Sequence, residues 1–187
     1  GAGQMFFNFQ WDALLLETTL LAVFLAPWRL LPLWRAPLAE PPRLARLLLV
    51  WLLFRLMLLS GAVKLLSGDL TWRDLSALAF HYETQPLPTP LAYWAHALPA
   101  WFHRVACAAM FTIELVAPFF FFGPRTIRHR AALLTLALML LIALTGNYTY
   151  FNLLTAALCL LCLDDTFIAR LLPTRLASSV CHVLRDK

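Results

Sequence analysis

The stretch Arg55–Pro90 reads RLMLLSGAVKLLSGDLTWRDLSALAFHYETQPLPTP and joins an apolar helix to a polar connection. Its apolar part contains two cations, Arg55 and Lys64. A charge near the middle of a bilayer costs about 2.5 kcal/mol or more, so both cations need partners within the protein or a functional role. The polar part begins a long outer loop, 67–99, in which the segment Trp72–Tyr82 predicts a short helix.

The composition is typical of a membrane protein. Hydrophobic residues make up 61% of the 187-residue chain and charged residues only 13%, whereas soluble domains carry about 25% charged residues. Because about 20 apolar residues span a bilayer, the apolar runs predict an all-α integral membrane protein, a bundle of about five transmembrane helices. The predicted spans are 9–26, 44–66, 100–122, 131–145 and 148–163, followed by an interfacial helix at about 166–176.

The distribution of basic residues predicts the orientation of the chain. Its net charge is +5, and arginine is concentrated in 27–46, 123–130 and the C-terminal tail, which the positive-inside rule assigns to the cytoplasm. The segments 67–99 and 146–148 hold one arginine between them and are assigned to the outer side. No basic stripe is interleaved with exposed aromatic residues, so membrane lipids rather than nucleic acid are the expected partners.

Signals of a known catalytic or metal site are missing from the sequence. It contains no phosphate-binding glycine loop, no G-x-S-x-G motif and no H-E-x-x-H motif. The five histidines are scattered, so we predict neither a metal site nor a cofactor. Cys159-x-x-Cys162 places two thiols on one helix face, where packing is the expected role because the βαβ context of a redox motif is missing.

The remaining chemistry lies in ionisable residues of the predicted spans. Counting along the helices puts Arg55 and Glu114 near mid-depth, which predicts a structural ion pair between them, direct or water-bridged. Other ionisable residues lie nearer to the outer surface. With residues of the outer loop and the last turn, they predict a polar chamber roofed by 67–90. Its expected members are Asp12, Glu17, Lys64, His81, Tyr82, Glu83, His103, Asn147 and Asn152.

Two interpretations of Lys64 stay open at this point. A lysine enclosed by apolar walls loses its proton more readily, which makes Lys64 a candidate catalytic base in the chamber. Alternatively, Lys64 is an anchor whose amine reaches toward the outer interface, or that is locked by Glu17. An open cavity beside Lys64 favours chemistry, whereas a paired lysine without a void favours a structural role.

Three motifs together resemble the lipase maturation factor family. They are FNFQWDALLLETTLLAVFLAP at 7–27, RLMLLSGAVKLLSGDLTWRDLSALAFHYETQPLPTPLAYWAHALP at 55–99 and LTGNYTYFNLLTAALCLLCLDD at 144–165. The resemblance implies a further membrane segment upstream and a β-rich soluble domain downstream. We therefore expect 1–187 to be a single transmembrane domain from a longer protein. The eukaryotic members are endoplasmic-reticulum proteins that help dimeric secreted lipases fold and assemble. The composition suggests a bacterial inner-membrane relative with a secreted client that need not be a lipase.

A more distant resemblance concerns mechanism. Gly61–Leu65 followed by Trp72 is similar to the lysine-bearing segment of the vitamin K-dependent gamma-carboxylase and the wider horizontally transferred transmembrane domain (HTTM) superfamily. In the carboxylase, that lysine is the base that deprotonates the reduced quinone, and only Lys64 matches it here. The sequence therefore leaves two functions open. One is a non-enzymatic maturation factor, and the other is a membrane enzyme that acts on a quinone or lipid.

Overall fold

The computed structural model describes residues 10–26, 41–85, 87–146, 148 and 150–171. All regular structure in these residues is helical, which confirms the predicted all-α class. The helices are α1 (Gln10–Leu25), α2 (Arg43–Leu66), α3 (Leu70–Arg73), α4 (Ala77–Thr84), α5 (Pro90–His96), α6 (Ala100–Leu115), a 3-10 segment (Ala117–Phe122), α7 (Arg125–Thr145), α8 (Phe151–Leu160) and α9 (Asp165–Leu171).

Three of the described helices are long and apolar enough to cross a membrane. They are α2, α6 together with the 3-10 segment that continues it, and α7. The 24 residues of α2 extend about 36 Å at 1.5 Å per residue, more than the roughly 30 Å of a hydrocarbon core. The helices α1 and α8 have only 16 and 10 residues. The protein is thus an all-α membrane protein, and its count of five spans stays a prediction.

The basic segment 123–130 is mostly helical rather than a loop. Helix α7 begins at Arg125, six residues before the predicted start of this span. Pro124 precedes its first turn, where the missing N–H of proline costs no helical hydrogen bond. At the other end of the chain, α9 occupies the first part of the predicted interfacial helix, and the residues after 171 lie outside the described part of the chain.

The helices α2 and α6 approach each other most closely at Gly61. A Cβ atom at Gly61 would lie 2.6 Å from Leu115 Cδ2 and 3.1 Å from Glu114 Cβ, so a larger residue there would force the helices apart. His103, Cys107, Met110 and Glu114, which recur at a helical spacing in the sequence, are all buried on one face of α6. The close approach therefore brings Glu114 beside the last three turns of α2.

The outer loop contains three short helices, and the segment Trp72–Tyr82, predicted to be one helix, is divided between α3 and α4. The Asp69 carboxylate accepts the Thr71 N–H at 2.9 Å and caps α3. The helical conformation is then interrupted at Leu75, whose φ is 65°. Asp74 Oδ1 accepts the Ser76 N–H at 2.9 Å. This local side-chain hydrogen bond competes with a continuous helix and starts α4 in a new direction.

The outer loop is packed onto the ends of the spanning helices. Helix α4 contacts α6, and α5 contacts α7. The Gln85 side chain donates a 2.7 Å hydrogen bond from Nε2 to the Thr145 carbonyl. Because that carbonyl lies in the last turn of α7, where no intrahelical N–H is left to bind it, the loop supplies the missing donor. The loop is thus a fixed outer layer, formed by α3, α4 and α5.

Candidate functional site

Lys64 and Glu114 form an enclosed ion pair between α2 and α6. The Lys64 ammonium lies 2.6 Å from each of the two carboxylate oxygens of Glu114. It also donates to Ser60 Oγ at 3.2 Å, one turn earlier on the same helix. The Glu114 side chain is only 3% exposed and that of Lys64 22%. At this burial each charge depends on the other, because an unpaired ion in such a place is strongly destabilising.

The indole of Trp72 completes this site from the outer layer. Lys64 Nζ lies 5.7 Å from the centre of the Trp72 ring, within the range of a cation–π interaction. The same ring meets Phe111 of α6 edge-on, at 6.0 Å between centroids. Among the described residues, the hydrogen-bond, ion-pair and cation–π partners of the ammonium come from α2, α3 and α6. We refer to Ser60, Lys64, Trp72 and Glu114 as the Lys64 site. The sequence singles out Lys64 and Glu114 but gives no signal for the contact with Trp72.

The ion pair predicted between Arg55 and Glu114 is wrong. Arg55 instead pairs with Glu17 of α1, and Glu114 pairs with Lys64, which was expected to be near Glu17. Glu114 lies level with Gly61, and Arg55 is six residues, about 9 Å, farther along α2. At this depth the Arg55 guanidinium lies beside Glu17 of α1 and not beside the Glu114 carboxylate of α6.

The Arg55–Glu17 pair lies in an open groove between α1 and α2. A cavity of about 270 Å³ borders it, lined by Ala13, Leu14, Leu52, Leu56, Leu59, Ser60 and Val63 as well as by the pair. The two charged side chains are 43% and 40% exposed. Except for the pair and Ser60, the lining is aliphatic, so the charges hold each other on an otherwise apolar surface.

Helix α4 places His81 over the outer end of the bundle. His81 Nε2 and the Tyr148 hydroxyl are 3.0 Å apart and hydrogen-bonded, and the two rings are parallel. Burial, followed by the positive charge of Lys64, lowers the pKa of His81 below its ordinary value of 6.5. Burial also raises the pKa of Tyr148. Both groups are thus held neutral near pH 7, and the contact fastens α4 to the turn before α8.

A second set of predicted residues lies between α4, α5 and α6. The Tyr82 ring packs against His103 at 5.8 Å between centroids. His103 is buried and its Nε2 lies 3.3 Å from the His96 carbonyl. Glu83 in turn contacts the His96 ring at 3.0 Å from Nε2. These contacts fix the outer layer to α6 and do not reach the Lys64 ammonium directly.

The remaining predicted chamber residues lie apart from Lys64. The Tyr150 hydroxyl donates to Asp12 Oδ1 at 2.7 Å, which joins α1 to the start of α8. Asn152 is buried, and its Oδ1 has no partner among the described residues. Asn147 lies outside the described residues. The predicted chamber is thus several separate contacts, and Glu17 belongs to the groove on the side of the bundle.

The inner end of the bundle holds a cluster of arginines that the sequence analysis did not foresee. Arg46 donates to the Leu161 carbonyl at 2.9 Å from Nη2, and Arg128 Nε donates to the Cys162 carbonyl at 2.9 Å. Cations at a helix C-terminus satisfy its free carbonyls and interact well with the helix dipole. The signal in the sequence was Asp164-Asp165 directly after an apolar run, which requires a basic partner.

Asp164 connects the same cluster to α7. Its carboxylate pairs with Arg125. Although burial raises its pKa, hydrogen bonds from Thr166, Phe167 N–H and Arg125 outweigh burial and lower the pKa of Asp164 to about 2. The arginines that predict the orientation of the chain therefore also bind the C-terminal end of α8 and the residues that follow it.

The chemistry available at the Lys64 site is limited because the ammonium already donates hydrogen bonds to three oxygen atoms. The ammonium binds two carboxylate oxygens and a hydroxyl, and Lys64 lines neither the groove between α1 and α2 nor the cavity between α7 and α8. Among the described residues, no group of three histidine, cysteine or acidic side chains is arranged to hold a metal ion. The described contacts of Lys64 fasten α2 to α6.

Comparison with known proteins identifies the family to which the chain belongs. Residues 1–170 match the family described as the lipase maturation factor transmembrane domain. Lipase maturation factor 2 from Gallus gallus is 48% identical over 170 residues, 90% of this chain and 24% of that protein. The protein of the same name from Homo sapiens is 48% identical over 175 residues, 89% of this chain and 25% of that protein.

A second group of relatives matches nearly the same part of this chain. Lipase maturation factor 1 from Bos taurus is 42% identical over 191 aligned residues, 99% of this chain and 33% of that protein. The chain therefore spans a quarter to a third of the length of these curated relatives. No solved structure matches it significantly. With 170 of its 187 residues matching the transmembrane domain of the lipase maturation factor family, the chain belongs to that family.

Proposed function

We propose that this chain is the membrane core of a maturation factor that assists the folding or assembly of secreted client proteins. The observation that carries the proposal is the match to the lipase maturation factor transmembrane domain over residues 1–170. The relatives are named for lipase maturation, and lipases are therefore the client class to test first.

The outer layer supports this function because it offers a fixed surface at one face of the membrane. It is held by the Trp72–Lys64 and His81–Tyr148 contacts. On α5, the side chains of Tyr93 and Trp94 are 72% and 68% exposed. Large aromatic side chains of this kind contribute much of the contact energy in protein interfaces. A client that folds outside the cytoplasm would meet this surface.

The location of the protein belongs to the same proposal. The basic segments 27–46 and 123–130 assign the inner end of the bundle to the cytoplasm. The outer layer then faces the periplasm if the membrane is the bacterial inner membrane. In the endoplasmic reticulum, the equivalent face is the lumen. Both are compartments through which secreted proteins pass.

The geometry gives no support to the alternative of a carboxylase-like enzyme that acts on a quinone or lipid. A base needs a free lone pair next to its substrate. Lys64 instead binds both carboxylate oxygens of Glu114 at 2.6 Å and is covered by Trp72. The lysine that resembled a catalytic base therefore acts as a connector between α2, α3 and α6 in this proposal.

A secretion assay tests the proposed function. The full-length protein is expressed in cells that lack their own lipase maturation factors and that secrete a dimeric lipase. We expect the specific activity of the secreted lipase, per mass of enzyme, to rise at least severalfold. Tyr93→Ser combined with Trp94→Ser should lower this gain, because it removes the exposed aromatic surface of α5.

Phe120→Ser is the matched control, since Phe120 is an exposed aromatic residue of the 3-10 segment, which continues α6 at the end away from α5. It should leave the gain intact. If the full-length protein is expressed and inserted but lipase activity does not change, the proposal for this client class is wrong. If Phe120→Ser and the α5 variant have the same effect, the outer layer is not the client surface.

A further inference from the structure

A cavity of about 670 Å³ separates parts of α7 and α8 and shares no lining residue with the groove at Arg55. The two helices otherwise pack along each other. Small side chains at Ala143 and Ala156 leave the space open, together with Gly146 at the end of α7. The volume lies within the range of about 300–1,000 Å³ that is typical of small-molecule sites.

The lining of this cavity changes from apolar to polar along its length. Its walls are formed by Leu136, Met139, Leu140, Ala143, Leu153 and Ala156. Its polar residues, Thr89, Tyr148 and Asn152, all lie at the outer end, beside the last turn of α7. From Gly146 to Leu136 the cavity follows ten residues of helix, about 15 Å, which is half of a hydrocarbon core of about 30 Å. This is the reach of one acyl chain in one leaflet.

The cavity opens sideways to the surface that faces lipid. Leu140 and Leu153 line it and are 60% and 74% exposed. A membrane helix is about 10 Å across, too wide to enter a space between two helices that pack against each other. A flexible acyl chain fits such a slot and reaches it by lateral diffusion from the bilayer.

Asn152 provides an unused polar group at the outer end. The residue is 7% exposed, lines the cavity, and its Oδ1 has no hydrogen-bond partner among the described residues. Buried side-chain oxygens usually have a partner, so this one is suited to a ligand. An amide oxygen accepts hydrogen bonds. The group that meets it must therefore carry an N–H or O–H donor.

We propose that the cavity between α7 and α8 is a specific lipid site. It holds one acyl chain of an outer-leaflet phospholipid, and Asn152 binds a head group that carries an N–H or O–H donor. Phosphatidylethanolamine meets this requirement and phosphatidylcholine does not. The site is separate from the Lys64 site, and it does not depend on the identity of the client.

Photolabelling of the full-length protein in nanodiscs tests this proposal. The probe is phosphatidylethanolamine with a diazirine near the end of one acyl chain, and labelled peptides are identified by mass spectrometry. We expect labelling of the Leu136–Leu140 segment at least fivefold above that of Val105, an exposed apolar residue that lines neither this cavity nor the groove between α1 and α2. An excess of unlabelled phosphatidylethanolamine should compete at least fivefold better than phosphatidylcholine.

Two variants distinguish the role of the apolar part of the cavity, called the slot below, from the role of its polar end. Ala143→Phe fills the slot and should reduce this labelling about tenfold, whereas Leu134→Phe, at an exposed position outside the cavity, should not. Asn152→Leu should retain labelling and lose the preference for ethanolamine, which keeps the test informative if Ala143→Phe unfolds. Uniform labelling of all lipid-facing positions overturns the proposal. So does a wild-type protein without head-group preference, or a slot that is found cross-linked to another segment or copy of the chain.

Discussion

Arg55 and Lys64 lie nine residues apart on α2 and show how different two ion pairs on one membrane helix can be. The Lys64–Glu114 pair is enclosed, with side chains 22% and 3% exposed. The Arg55–Glu17 pair lies in a groove, with side chains 43% and 40% exposed. The first pair connects α2 with α6, and Trp72 links it to the outer layer. The second connects α2 only with α1.

The contrast indicates that enclosure, rather than the presence of a charge, decides how much a pair matters for the fold. A carboxylate enclosed by protein loses its only compensation when its partner is removed. A half-exposed side chain can turn to other polar groups, and exposed pairs contribute little. Each of the following experiments tests this difference, beginning with the largest expected effect.

Glu114→Gln should destabilise the protein by roughly 3–5 kcal/mol, because it leaves the Lys64 ammonium, whose side chain is only 22% exposed, without a counter-charge. The measurement is the free energy of unfolding of the full-length protein in detergent, from a denaturant titration. A loss of expression or of membrane insertion would be the same effect in a stronger form.

The double variant Lys64→Met with Glu114→Leu is the control for this prediction. Replacing both members of an enclosed pair with apolar residues of similar size is often neutral or stabilising. We therefore expect it to recover most of the stability that Glu114→Gln loses. A double variant as unstable as the single one would contradict the view that a stranded charge is the cause.

Glu17→Gln should cost about 1 kcal/mol or less, since both members of its pair are more than one third exposed. The same titration measures it, with Glu114→Gln in parallel. If Glu17→Gln proves as costly as Glu114→Gln, then the groove between α1 and α2 is covered in the full-length protein, and the contrast between the two pairs fails.

The smallest expected effect is a dependence on pH that comes from His81 beside the enclosed pair. Its pKa is lowered in the folded protein by burial and by Lys64, whereas an unfolded histidine titrates near 6.5. The unfolded state thus binds more protons below this pH. Stability is full above about pH 6.5 and falls as the pH decreases toward the folded-state pKa.

His81→Gln removes this titration and should flatten the slope of melting temperature against pH between 7.5 and 5.5. The informative quantity is the difference between the slopes of the wild type and the variant, because other histidines contribute equally to both. Identical slopes would show that His81 is not held neutral by its surroundings. A slope that also flattens in the Lys64→Met, Glu114→Leu variant would link the effect to the ammonium.

Part of the candidate site was readable from the sequence and part was not. Lys64, Glu114 and His103 were singled out because ionisable residues are costly in apolar helices, and Glu114 and His103 are buried as the α6 pattern predicts. The wrong partner for Arg55 came from counting residues to judge depth. Residues 117–122 form a 3-10 helix, which rises about 2.0 Å per residue instead of 1.5 Å, so Glu114 lies about 3 Å farther from the end of that segment than the count implied, which is about a third of its offset from Arg55.

The sequence by itself determined the class of the protein, its family motifs and which residues of α6 face inward. Hydropathy and helical periodicity are sums over many residues, so errors of a few ångströms do not change them. Only the tertiary structure decided which charges pair, that Trp72 covers Lys64, and that arginines clamp the end of α8. These contacts depend on distances of about 3 Å between residues far apart in the chain. Such distances follow from how closely the helices approach, as at Gly61, and local sequence does not encode them.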